Sequence, residues 1–94
     1  MMKYEQFESV WDAIEKNPVA AANLKARSSV MMAVEQAVKA WNVSQVIAAK
    51  RLGLTQPRLN DLLRGRINKF SLDALMTVAA RAGLTVELKI EKAA

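Results

Sequence analysis

The chain has no cysteine and no histidine among its 94 residues. Without cysteine there can be neither a disulfide nor a thiolate metal site, so packing alone must hold the fold. Without histidine the commonest general base is missing, and the missing thiol removes the best nucleophile as well. Glycine is scarce, and Gly53, Gly65 and Gly83 stand too far apart to form a phosphate-cradling loop. Asp12 and Glu15 could share a helix face, but an i, i+3 carboxylate pair of this kind reads as solvated surface. No apolar run is long enough to span a bilayer, and the opening MMKYEQFESV lacks the apolar core of a signal peptide. These absences lead to the expectation of a cytoplasmic protein without enzymatic activity, cofactor or metal.

What is present is apolar and basic. Apolar residues make up 52% of the chain and the net charge is +5. The length suits one domain, and so short a chain gains from a second copy. The charge is unevenly spread. Residues 1–24 hold Lys3 and Lys16 against Glu5, Glu8, Asp12 and Glu15, a net of −2. Residues 44–70 hold six basic side chains against Asp61 alone, a net of +5. A polyanion is the natural partner of that second segment.

Periodicity and breakers divide the chain into helices. Tyr4, Phe7, Trp11 and Ile14 recur at spacings of 3, 4 and 3, which predicts an aromatic, acidic helix over residues 1–17. Asn17 can cap and Pro18 can open a second helix that runs to about Trp41, with Met31, Val34, Val38 and Trp41 on its apolar stripe. Ser44 is placed to cap a helix over Gln45–Leu52 that Gly53 ends. Thr55 caps another over Gln56–Arg64, ended by Gly65, and Ser71 starts a last helix that Gly83 ends. The tail TVELKI alternates strictly, with Val86, Leu88 and Ile90 on one side, and this predicts a strand over residues 85–94. A lone strand needs a partner, which a second copy related by a two-fold axis would supply. The expected fold is mainly α, a five-helix bundle plus a short C-terminal β-strand paired across a homodimer. Residues 18–84 would form the main domain.

The stretch LGLTQPRLNDLLRG, residues 52–65, carries the chemistry. Two short helices joined by Gly-Leu-Thr must turn sharply, and Gly53 suits the positive φ of such a turn. Ala48 and Ala49 permit close approach, while Leu52, Leu54, Leu59 and Leu62 fill the angle between the helices. Pro57 falls in the first turn of the second helix, where its missing N–H costs nothing. This is the pattern of a helix-turn-helix over about residues 44–65, whose second helix enters a DNA major groove. Gln and Asn can bond adenine bidentately, Arg can bond guanine and Asp can accept from cytosine, so Gln56, Arg58, Asn60 and Asp61 are the expected base readers. Ser44, Gln45, Thr55, Arg64, Arg66, Asn68 and Lys69 lie at helix ends and in the following loop, where phosphates would be met.

The segment SQVIAAKRLGLTQPRLNDLLRGR resembles the Xre/Cro-type helix-turn-helix family through Gln45, Ala49, Gly53, Thr55, Gln56 and Leu59. With SVWDAI, AANLKARSSVMMAV and the run through INKFSLDALMTVAARAGLTVELKI, the chain is also similar to the small Xre-family antitoxins of HigA type. Leu59 stands where a β-branched residue is frequent in the family, and Asn60 where serine is common. The resemblance implies a dimeric repressor on a palindromic operator, autoregulating a toxin–antitoxin operon, with a RelE-like toxin as partner. The alternative it leaves open is an interaction module that mainly neutralises such a toxin, using the acidic aromatic helix and binding DNA secondarily.

Overall fold

The computed structural model describes residues 17–92. Among them the chain forms α1 (Pro18–Trp41), α2 (Gln45–Leu52), α3 (Gln56–Leu63), a 3-10 turn (Ile67–Lys69) and α4 (Leu72–Arg81). The aromatic segment with Tyr4, Phe7, Trp11, Ile14, Asp12 and Glu15 lies outside the described residues.

Each α-helix begins on a side-chain cap. Asn17 Oδ1 accepts from the amides of Val19 and Ala20 at 3.0 and 3.2 Å. Ser44, Thr55 and Ser71 accept from Ile47, Arg58 and Ala74 at 3.3, 3.3 and 3.1 Å. Such caps satisfy backbone donors that the helix itself leaves unpaired. α1 runs unbroken through Ser28 and Ser29 and stops where Asn42 adopts a left-handed conformation, φ 53°. Gly53 ends α2 at φ 67°, and its amide donates to the carbonyls of Ala49 and Lys50. α3 ends one residue earlier than its sequence suggests, at Leu63, with Arg64 as the cap.

The helices enclose a single apolar core. Val30, Met31, Val34 and Val38 of α1 meet Ala48, Ala49 and Leu52 of α2, Leu59 and Leu62 of α3, and Leu75, Val78 and Ala79 of α4. Phe70, between the 3-10 turn and α4, completes it at 2% exposure. Trp41 and Leu54 are half-buried at its edge.

The expected five-helix bundle with a C-terminal strand is corrected here. The described residues hold four α-helices and no strand. Residues 84–92 follow α4 without regular structure. The reason is backbone pairing: a strand exists only beside another, and among the described residues no segment lies alongside the tail to bond it. Val86 instead finds apolar cover on its own chain, packed against the core. With Glu87 and Leu88 it borders a groove lined by Ala26, Val30, Leu72 and Met76. Leu88 and Ile90 remain 74% and 89% exposed. Of the apolar side of TVELKI, the chain's own core covers Val86 alone.

Candidate nucleic-acid interface

α2 and α3 are separated only by Gly53, Leu54 and Thr55. The αL conformation of Gly53 reverses the chain there, and the amide of Leu54 closes the turn on the Ala49 carbonyl at 2.9 Å. Leu59 and Leu62 are both fully buried, so one face of α3 is fixed against the core and the opposite face must be presented outward. Ala48 and Ala49, at 1% and 3% exposure, seat α2 beneath it.

At the start of α3, Gln56 is exposed beside the Thr55 cap. The expected phosphate contacts Ser44, Gln45, Thr55, Arg64, Arg66, Asn68 and Lys69 are all exposed. Ser44 and Thr55 accept helix amides, which leaves each hydroxyl hydrogen free to donate to a phosphate oxygen.

The other three expected base readers are half-buried, and two of them are engaged within the protein. Arg58 turns back from the outer face. Its guanidinium donates to the Lys69 carbonyl at 2.6 Å and lies 4.1 Å from the centroid of the Phe70 ring. Asp61 accepts from Arg66 Nη1 at 3.3 Å. Asn60 stands beside Asp61 on α3, and its carbonyl accepts from the Arg64 amide at the helix end.

Two features escaped the reading of the sequence. Arg27 donates through Nη1 to the carbonyls of Ile67 and Phe70, at 3.2 and 3.4 Å. A signal for it existed: Arg27 precedes Met31, Val34 and Val38 at the same helical spacing and so falls on the apolar stripe of α1. Arg51 lies over the Trp41 ring, 5.0 Å from its centroid, and adds a cation at the last turn of α2. Nothing in the local pattern marked that pairing.

Among the described residues no cluster of carboxylates could hold a metal ion, and no helix is long and apolar enough to cross a membrane. Gln56, Arg64, Arg66 and Lys69 make an exposed, basic surface around the second of two short helices, and its charge suits the groove of a nucleic acid.

These features define a helix-turn-helix protein. The chain belongs to the Helix-turn-helix domain family, whose model matches residues 15–91. A solved structure named for the XRE family of transcriptional regulators is 29% identical, with a TM-score of 0.70 over 78% of this chain and 82% of that one. Among curated proteins, none matches this sequence significantly.

Proposed function

We propose that the protein is a DNA-binding transcriptional regulator, a repressor that reads a palindromic operator as a homodimer. The carrying observation is Gln56, exposed at the start of a helix whose other face is locked by Leu59 and Leu62, with Arg64, Arg66 and Lys69 exposed nearby. Residues at the start of a recognition helix reach base edges, and cations around it meet phosphates. The likeness to an XRE-family regulator supports the same reading. Two copies would place their recognition helices in successive major grooves, ~34 Å apart. Leu88 and Ile90, apolar and exposed beside the half-buried Val86, are the side chains a second copy would cover.

A duplex from the region upstream of the gene should bind far more tightly than a scrambled duplex at physiological salt. Gln56→Ala should lose about 1–3 kcal/mol on the operator and little on the scrambled sequence. Equal binding of both duplexes by the unaltered protein would remove this function.

The finer reading is an antitoxin that represses its own operon. It is supported by the sequence resemblance and by the net charge of −2 over residues 1–24, which suits a basic toxin. Co-expression with the product of the neighbouring gene tests it, since rescue of growth is the expected result. Loss of rescue on deleting residues 1–16 would locate toxin binding there.

A further inference from the structure

The turn between α3 and α4 is held from two sides by arginines. From α1, Arg27 Nη1 donates to the carbonyls of Ile67 and Phe70. From α3, Arg58 Nη1 donates to the carbonyl of Lys69 and its guanidinium stacks on the Phe70 ring. The turn's own bonds run from Ile67 N to Gly65 O at 2.8 Å, from Lys69 N to Arg66 O at 3.0 Å and from Phe70 N to Ile67 O at 3.2 Å. A three-residue 3-10 turn is weakly bonded by itself, and among the described residues the carbonyls of Lys69 and Phe70 accept from no backbone amide. Guanidinium groups supply charge-assisted partners for them, each roughly twice as strong as a neutral bond.

The cost of this arrangement shows that it is specific. Arg27 Nε is buried without a hydrogen-bond partner, and a lysine in that place would bury no such nitrogen. Arg58 is half-buried and makes both contacts at once, the carbonyl of Lys69 and the ring of Phe70. A planar fork can bond a carbonyl and stack on a ring at once, which an ammonium cannot do.

We propose that Arg27 and Arg58 are positioning residues that lock the turn, so that Arg66, Asn68 and Lys69 form a fixed phosphate-binding ridge beside α3. The inference rests on the DNA-binding reading above and changes the role of Arg58 within it. Arg58 acts through the turn rather than by reading a base. The ridge meets phosphates alone, so the clamp governs affinity on every sequence alike.

Two measurements on the full-length chain test this. In the free protein, Arg27→Met and Arg58→Met should each raise amide hydrogen exchange at Lys69 and Phe70 by roughly tenfold, with the amides of α2 unchanged. Unchanged exchange at the turn would overturn the clamp, whatever the DNA results. On DNA, both variants should lose affinity for operator and scrambled duplex by the same factor. The slope of log K against log salt should fall by about 2, for two cations at ~0.9 each. Arg58→Lys keeps the charge but not the fork, and should behave like Arg58→Met. Rescue by lysine, or a selective loss on the operator of the kind expected for Gln56→Ala, would show that Arg58 touches DNA directly and overturn the proposal. Should the unaltered protein bind neither duplex, the DNA-binding function fails and the exchange result alone decides the clamp.

Discussion

Arg66 Nη1 reaches Asp61 Oδ1 at 3.3 Å, joining the end of α3 to the loop that follows it. The pair ties the single carboxylate of the basic segment to one of its cations. Asp61 is the more enclosed partner, with its side chain 20% exposed against 49% for Arg66. A partly exposed ion pair of this kind, in contact with water, adds little to stability, so its effect should be felt in binding. Asp61→Asn should raise affinity for DNA of any sequence, because Arg66 then has only phosphate to neutralise. Filter-binding titrations from low to high salt measure this. A loss of discrimination at a single cytosine, without general tightening, would instead mark Asp61 as a base reader.

Gly53 carries the reversal between the two helices at φ 67°, and a Cβ there would run into the Arg81 guanidinium. Arg81 is exposed and its side chain can swing aside, whereas the left-handed backbone cannot be relieved. Gly53→Ala should therefore cost about 1–2 kcal/mol, lowering Tm by roughly 4–8 °C per kcal/mol in a domain of this size. Combining it with Arg81→Ala should recover little of the loss. Full recovery in thermal melts would shift the cause from backbone strain to the side-chain clash.

Leu59 is fully buried on the inner face of α3, one turn from Gln56. Leu59→Ala should destabilise the protein by about 2–5 kcal/mol through lost transfer energy and the cavity left behind. Gln56→Ala should leave stability unchanged and affect only operator binding. Urea denaturation of the two variants checks both halves, and a stability loss for Gln56→Ala would mean that its side chain supports the fold.

Glu35, half-buried on α1, has its pKa raised above the ordinary 4.5 by burial, with Lys39 acting in the opposite direction. The folded chain thus holds this proton more tightly than the unfolded chain does. Its ionisation costs stability, a penalty absent well below pH 4.5 that grows as pH rises through and above that value. Glu35→Gln should raise Tm near neutral pH and leave it almost unchanged in acid. A lower Tm for the variant at neutral pH would show that the carboxylate is a net stabiliser.

The helix boundaries and the central motif were legible because their causes are local. Ser44, Thr55 and Ser71 each bond an amide three residues ahead, and Asn17 bonds amides two and three ahead. The αL glycine at position 53 needs only the absence of a Cβ. Such features are written in a few adjacent residues, and so is the apolar spacing that turns Leu59 and Leu62 inward.

Local pattern misjudged the tail and placed Arg58 among the base readers, with no view of the partners that lie far from each in sequence. Arg58 finds its carbonyl 11 residues away, and Arg27 finds its two at separations of 40 and 43. Whether a guanidinium faces a DNA groove or a backbone oxygen depends on what packing brings beside it. The alternation of Val86, Leu88 and Ile90 could not reveal whether another strand would lie alongside, since strand pairing belongs to two segments and not to one. The sequence by itself determined four capped helices and a sharp turn, through bonds within one helical turn. The tertiary structure alone decided which polar side chains stay free to meet a partner, because burial and long-range hydrogen bonds assign those roles only once the core has formed.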